Sequence, residues 1–183
     1  METIASFQID HDILTPGMYV SRVDGDVVTY DLRFKRPNQG DYVSNGALHT
    51  FEHLFATYVR NSRFGDQVVY FGPMGCRTGF YFLTREGLSR ENAIVLTREA
   101  CDFIARFEGE IPGARPRECG NYREHDLEDA RREAAAYARV LEGWTPERMA
   151  YPCLLYTSTK GRRRSASRSA RRAHRTKDWA RGC

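Results

Sequence analysis

The sequence lacks the features that mark exported and membrane-spanning proteins. No apolar run approaches the ~18 residues that a transmembrane helix needs, and no basic segment followed by an apolar stretch stands at the start. Its five cysteines are irregularly spaced and cannot all pair within one chain, so a disulfide framework is not predicted. We therefore expect a cytoplasmic protein whose cysteines are ligands, nucleophiles or buried apolar side chains.

Acidic residues outnumber basic ones in the body of the chain, whereas basic residues are concentrated at its end. Residues 160–183 hold ten of the 28 lysines and arginines but one acidic residue, which gives this segment a net charge of +9 and residues 1–159 a net charge of −5. An acidic body gives no electrostatic support to nucleic-acid binding. We expect a folded body over residues 1–152 and a disordered tail over 153–183, because the tail has no apolar periodicity. The tail is either a basic arm for nucleic acid or a non-native remnant, and its composition favours the remnant.

Apolar periodicity predicts strands grouped together with long helices between them. This arrangement, without alternating strands and helices, indicates an α+β fold in which an antiparallel sheet has helices packed on one face. A third helix is expected to expose a charged face that includes Glu128 and Glu133. The predicted strands cover residues 19–24, 27–34, 67–71 and 78–84, and the predicted helices cover residues 47–61, 89–107 and 126–141.

The strongest chemical signal is a pair of histidines one helical turn apart. His49 and His53 lie about 40° apart around a helix axis, so both imidazoles can reach one ion. Glu52 lies beside them and could move protons without being a ligand. Catalytic sites use three protein ligands and leave the fourth position open, and Cys119 is the candidate third ligand. Spacing alone leaves an ordinary helix face with a His–Glu pair as an equal alternative.

A second candidate cluster surrounds Cys76 between two predicted strands. Neighbouring glycines leave room around this thiol, and the positive charge of Arg77 would favour its thiolate form. Cys76 therefore suits a nucleophile or a general base. Cys101, inside the second predicted helix, is expected to be a buried apolar side chain.

Seven segments of the chain, in their order and spacing, resemble the LuxS family of S-ribosylhomocysteine lyases over residues 4–142. The resemblance implies one Fe²⁺ per subunit, replaceable by Zn²⁺ or Co²⁺, and a homodimer whose active sites lie at the interface and use both chains. It also implies a role for each matching residue: His49, His53 and Cys119 as metal ligands, Glu52 and Cys76 as the acid/base pair, and Ser6, His11 and Arg33 as substrate contacts. The segments are residues 6–11, 31–34, 37–38, 48–54, 73–81, 118–122 and 125–128.

The resemblance further implies a reaction. The substrate would be S-ribosylhomocysteine, and the products would be homocysteine and 4,5-dihydroxy-2,3-pentanedione. The second product is the precursor of a quorum-sensing autoinducer, and the reaction would also belong to the methyl cycle. The carbonyl must migrate along the sugar before sulfur can leave by β-elimination. In one place the chain departs from the family, which commonly has Asp-Ile-Ser-Pro where this chain has Tyr70-Phe71-Gly72-Pro73. An acidic substrate contact is therefore absent at Tyr70.

The alternative enzyme class is a metallopeptidase of the inverzincin type. The spacing of His49, Glu52 and His53 also fits that signature, in which the glutamate is the base for a metal-bound water. Such peptidases usually take a downstream glutamate as third ligand and are much longer. The segment around Cys76 would have no role in them.

Overall fold

Four antiparallel strands and three long helices form the part of the chain that a computed structural model describes, residues 9–152. The strands pair in the order β1-β2-β4-β3, which confirms the predicted α+β class with an antiparallel sheet. Ser6 and the segment 153–183 lie outside the described residues. The elements are β1 (Gly17–Asp24), β2 (Val27–Arg33), α1 (Asn45–Arg60), β3 (Val68–Pro73), β4 (Gly79–Arg85), α2 (Arg90–Ala105) and α3 (Leu127–Val140).

Each helix begins at a side-chain cap that satisfies one of its free backbone N–H groups. Ser44, Ser89 and Asp126 accept hydrogen bonds from the backbone nitrogens of Ala47, Asn92 and Asp129. Such caps typically stabilise a helix by about 1 kcal/mol. Because Ser44 is the cap, α1 begins two residues before the predicted start at residue 47. No described helix has the length and apolar character that crossing a membrane requires.

The apolar stripe of α1 packs on the sheet through a cluster of aromatic rings. The ring of Phe51 stacks on that of Phe80 at 4.8 Å between centroids, and Phe55 stacks on Phe71 at 3.9 Å. Phe34, which follows β2, stacks on Tyr137 of α3 at 3.9 Å. One side of α1 therefore lies in this core. The half-buried residues of α1 lie at the edge of the core, where they can line a site.

The predicted charged face of α3 is wrong at one position. Glu128 is exposed, but Glu133 is buried and forms an ion pair with Lys35 at 2.8 Å. A buried carboxylate is costly without a partner. The loop after β2 supplies that partner, which a helical pattern alone does not reveal.

Polar side chains lie on the sheet face opposite the helices, yet several are buried. Asp31 and Arg33 of β2 are 1% and 3% exposed. The chain after α3 returns across this side, where the Trp144 indole donates to the carbonyl of Met18 and the Tyr151 hydroxyl donates to Asp31. The sheet is therefore covered on both sides around β2.

Candidate active site

The two histidines of α1 converge on one point beside the helix. The rings of His49 and His53 lie 4.7 Å apart between centroids and are almost perpendicular, at 85°. Both residues are half-buried. Because His49 and His53 are one turn apart and Phe51 is held in the core, the helix turns both imidazoles toward the same side.

Backbone carbonyls outside α1 orient both imidazoles. The Nδ1 atom of His49 donates to the carbonyl of Glu124 at 2.9 Å, and that of His53 donates to Pro112 at 2.7 Å. A carbonyl oxygen only accepts, so each Nδ1 carries the ring proton and each Nε2 keeps its lone pair for a metal. The loop at Gly113 approaches so closely that an added Cβ would lie 3.1 Å from the His53 Nδ1.

A thiol from a distant segment completes a set of three donors. The sulfur of Cys119 lies 3.2 Å from the Nε2 of His49 and accepts the backbone N–H of Asn121 at 3.4 Å. Two imidazoles and a thiolate suit Zn²⁺, Fe²⁺ and Co²⁺. The residues present therefore fit a divalent transition metal, with three protein donors and a fourth position for a substrate.

A third histidine, His125, joins this cluster, and the sequence analysis did not identify it as a possible donor. Ligand atoms of His49, His53, Cys119 and His125 all lie within 4.8 Å of one another. The ring of His125 stacks on His49 at 4.1 Å with 22° between the planes, and its Nδ1 lies 3.2 Å from the Thr50 hydroxyl. A ring nitrogen's lone pair lies in the ring plane, so two stacked rings cannot both direct lone pairs at one ion about 2 Å away. His49, which contacts the sulfur, is therefore the better ligand.

No sequence motif marks His125, and its position depends on how the chain enters α3. His125 comes immediately before Asp126, the cap of α3, whose backbone N–H donates to the Thr50 hydroxyl of α1. A Cβ added at Gly46 would lie 3.0 Å from the Asp126 side chain. This close approach of two helix starts brings His125 against the histidines of α1.

Glu52 lines a cleft of about 370 Å³ next to the histidine pair. Burial raises the pKa of this carboxyl above its usual value, although the neighbouring imidazoles of His49 and His53 partly oppose the rise. A carboxyl with a raised pKa holds its proton more readily, so it is better suited to donate a proton as well as to accept one. The other residues that line this cleft are His53, Ala56, Thr57, Phe71, Pro112 and Gly113.

Cys76 lies in the tight connection between β3 and β4, at a different cleft of about 340 Å³. Burial opposes ionisation of the thiol, but hydrogen bonds from Thr78 and the charge of Arg33 outweigh burial and lower its pKa. Arg77, the next residue, adopts a positive φ of 57°. His11 lines the same cleft, and its Nδ1 bonds to the Ile9 carbonyl at 2.9 Å. A thiolate here can act as a base.

The predicted site residues therefore fall into two groups within one chain. His49, Glu52, His53 and Cys119 lie together, whereas His11 and Cys76 line the second cleft, and the two clefts share no lining residue. Arg33 lies beneath the second cleft, bonded to Asp31 and Thr78. Within the described residues, one chain does not bring Glu52 and Cys76, the predicted acid/base pair, into one cavity.

Tyr70, where the resemblance leads us to expect an acidic residue, lies across the backbone of β3. Its side chain is 50% exposed, and its hydroxyl occupies the position where a Cβ on Gly72 would stand, 2.1 Å from it. A side chain at residue 72 would therefore require this exposed tyrosine to swing aside. The glycine at residue 72 thus leaves room for this position of the tyrosine hydroxyl.

Comparison with known proteins identifies the family. Residues 4–147 match the family model described as S-ribosylhomocysteinase (LuxS). The S-ribosylhomocysteine lyase of Phocaeicola vulgatus is 50% identical over 158 residues, which cover 83% of this chain and 98% of that protein. The corresponding enzyme of Clostridium acetobutylicum is 44% identical over 157 residues, covering 83% and 99%. The match spans both the histidine pair and the distant thiol, and the chain therefore belongs to the S-ribosylhomocysteinase (LuxS) family.

Proposed function

We propose that this chain is a metal-dependent carbon–sulfur lyase that cleaves S-ribosylhomocysteine to homocysteine and 4,5-dihydroxy-2,3-pentanedione. The observation that carries the proposal is the convergence of the His49 and His53 imidazoles with the Cys119 sulfur, next to the half-buried carboxyl of Glu52. A metallopeptidase of the inverzincin type is not favoured. The donors that converge within residues 9–152 are imidazoles and a thiol, without the carboxylate ligand of that class.

His49, His53 and Cys119 would hold one metal ion per chain, with Fe²⁺ as the proposed ion and Zn²⁺ or Co²⁺ as substitutes. When bound, the ion supplies a Lewis acid for the carbonyl oxygen of the sugar. The Nδ1 hydrogen bonds of both histidines to backbone carbonyls hold the rings ready for this role. Such supporting contacts commonly contribute 10- to 100-fold to metal affinity.

Glu52 and Cys76 are proposed to move the protons. A thioether sulfur leaves by β-elimination only after a carbanion has formed on the neighbouring carbon. That carbon is adjacent to the carbon to which the sulfur is bonded. The carbonyl must therefore pass from C1 to C3 of the sugar first, and each step transfers protons between carbon and oxygen. The Cys76 thiolate would take protons from carbon, and Glu52 would carry protons to and from oxygen. Each such transfer typically contributes about 10²- to 10⁴-fold.

Ser6, His11 and Arg33 are the proposed substrate contacts. His11 lines the cleft of Cys76. The Arg33 guanidinium bonds through both terminal nitrogens, but its buried Nε has no partner among residues 9–152. A substrate oxygen would supply that partner. The missing acidic contact at Tyr70 would alter how this chain holds its substrate.

We further propose that the enzyme is a homodimer in which each active site uses both chains. The separation of Glu52 and Cys76 into two clefts of one chain supports this arrangement, because proton transfer to one substrate needs both groups within reach. A two-fold axis would bring the metal cleft of one chain to the Cys76 cleft of its partner, twice per dimer. Residues 1–152 would form the catalytic domain, and the thiol ligand suits the reducing cytoplasm.

Mixing two inactive variants tests the shared site. Cys76→Ala keeps the metal cleft but lacks the thiol, and His53→Ala keeps the thiol but lacks a metal ligand. Each variant alone should therefore be inactive. Co-expressed chains would form mixed dimers with one intact site, and activity should return to roughly a quarter of the parent value for random pairing. Release of homocysteine, measured as free thiol, is the readout. Continued inactivity of demonstrated mixed dimers would contradict a site built from two chains.

A second test separates the metal ligands from their neighbour. His125→Phe should retain about one metal ion per chain, because the aromatic ring still supports His49 by stacking. The matched change His49→Phe should lose most of the metal. Elemental analysis of anaerobically purified protein measures both. Loss of metal from the His125 variant equal to that from the His49 variant would make His125 a ligand.

A direct assay tests the function itself. The metal-loaded chain should release thiol from S-ribosylhomocysteine and should not cleave peptides. Protein with a full complement of metal that leaves S-ribosylhomocysteine intact would contradict the proposal.

A further inference from the structure

A continuous series of hydrogen bonds connects Tyr151, which follows α3, to the thiol of Cys76. The Tyr151 hydroxyl donates to Oδ2 of Asp31 at 2.9 Å, and the same oxygen accepts from Nη2 of Arg33 at 2.6 Å. Nη1 of Arg33 donates to the Thr78 hydroxyl at 2.5 Å. That hydroxyl lies 3.0 Å from the sulfur of Cys76. The series therefore connects the end of the described chain to the reactive thiol.

The chemistry of arginine determines the direction of the last bond. A guanidinium can only donate, so the Thr78 oxygen must accept from Arg33. A hydroxyl has a single proton, and Thr78 is only 2% exposed, so water cannot serve as its acceptor. Within residues 9–152 the only acceptor in hydrogen-bond reach of this hydroxyl is the Cys76 sulfur. Donating to sulfur satisfies every group, and because a hydrogen bond to an ionised acceptor is stronger than one to a neutral acceptor, it favours the thiolate over the thiol.

The backbone holds Thr78 firmly in this position. Its carbonyl accepts from the N–H groups of Phe34 and Lys35, at 2.9 and 3.0 Å, just after β2. The neighbouring Arg77 carbonyl accepts from Val43 at 3.0 Å. Thr78 is thus tied to the same strand end that carries Arg33, and the hydroxyl has little freedom to turn away from the sulfur.

We infer that Thr78 is a positioning residue for proton transfer: it links the buried Asp31–Arg33 pair to Cys76 and holds the sulfur as a thiolate acceptor. Asp31 and Tyr151 act one step further away, by holding the guanidinium at the hydroxyl. Arg33 therefore acts on the thiol through Thr78 as well as through its charge and a hydrogen bond of its own, and the backbone N–H of Thr78 adds a further hydrogen bond. The inference rests on the proposed function, in which Cys76 takes protons from carbon.

Other groups around the sulfur also influence its ionisation. The negative charge of Asp31 opposes the thiolate, whereas the positive charge of Arg33 favours it. The groups that face the thiol from the elements packed around it are His11 before β1, Asp31 and Arg33 of β2, Arg77 of the connection, Tyr81 of β4 and Tyr151 after α3.

The test reads the thiol directly, in the full metal-loaded chain. The rate of Cys76 alkylation by iodoacetamide is measured between about pH 5 and pH 10, with mass spectrometry of the Cys76 peptide so that other cysteines do not contribute. The midpoint for the parent chain should lie below the ordinary thiol value of about 8.5. Thr78→Val keeps the shape but removes the hydroxyl, and its midpoint should rise by about one to two pH units. Thr78→Ser restores the hydroxyl and should keep the parent midpoint.

Three results would overturn the inference. They are a parent midpoint at the ordinary thiol value, an unchanged midpoint in the valine variant, or an equal rise in the serine and valine variants. If the valine variant does not fold, Thr78→Ala removes the same hydroxyl with less bulk, and its midpoint is compared with those of the parent and the serine variant in the same way. The reading needs no substrate, so failure here is distinct from failure of the lyase proposal, which the release of homocysteine tests separately.

Discussion

Replacing Cys76 by alanine should stop the release of homocysteine from S-ribosylhomocysteine while the metal content stays at the parent level. The thiol lines a cleft away from the metal donors, so its loss leaves the three proposed ligands untouched. Removal of a proton-transfer group typically costs about 10²- to 10⁴-fold in rate. The measurement is a free-thiol assay together with elemental analysis of the same preparation.

Cys101→Ala is the matched control for the loss of a cysteine. That thiol is fully buried in α2, and burial raises its pKa far above the usual range, so it does not ionise at neutral pH. Its removal should lower stability slightly by leaving a small cavity, with little change in rate. If the Cys76→Ala variant released homocysteine at the parent rate, Cys76 would have no role in the proton transfers.

The pH dependence of the reaction should follow the same thiol. Because hydrogen bonds from Thr78 and the charge of Arg33 lower the pKa of Cys76, its thiolate persists to lower pH than that of an ordinary cysteine and is lost as the pH falls through that lowered value. Catalysis that needs the thiolate should therefore decline on the acidic side of the profile. The decline should move to higher pH in the Thr78→Val variant.

Replacing Cys119 by serine should strongly lower the affinity of the chain for its metal ion. A serine hydroxyl is a far weaker ligand than a thiolate for Fe²⁺, Zn²⁺ or Co²⁺. We expect metal affinity to fall by about 100-fold or more, since even supporting contacts commonly cost 10- to 100-fold. Competition with a chelator of known affinity, followed by elemental analysis, measures the change.

The spectrum of cobalt-loaded protein provides an independent reading of Cys119. A sulfur ligand should produce a charge-transfer band that the serine variant lacks, and Cys76→Ala, which leaves Cys119 in place, should keep it. The Cys76 variant is thus the control for a general effect of removing a thiol. Full metal content and an unchanged spectrum in the serine variant would exclude Cys119 as a ligand.

The sequence predicts those parts of the site that a single element contains. His49, Glu52 and His53 share one helix, and helical periodicity alone brings the two imidazoles to the same side. The two strands predicted over residues 19–24 and 27–34 and the helices predicted to start near residues 89 and 126 are similarly local, and the structure confirms them. Local patterns determine these features because the interacting groups are at most a few residues apart.

Contacts between distant segments are beyond such patterns. The burial of Glu133 depends on Lys35, almost a hundred residues earlier, and the sequence prediction of an exposed face there is wrong. The stacking of His125 on His49 depends on how closely the start of α3 approaches α1 at Gly46. Neither contact leaves a periodic signal, because each needs two surfaces to pack first.

The sequence by itself determined the fold class, the helix that presents both histidines, and, through resemblance, the family to which the chain belongs. Only the tertiary structure decided that Cys119 lies against His49, that Cys76 faces a separate cleft, and that Thr78 joins the thiol to a buried ion pair. The physical reason is that periodicity encodes which side of an element is apolar. Distances between side chains far apart in the chain depend on how the whole core packs.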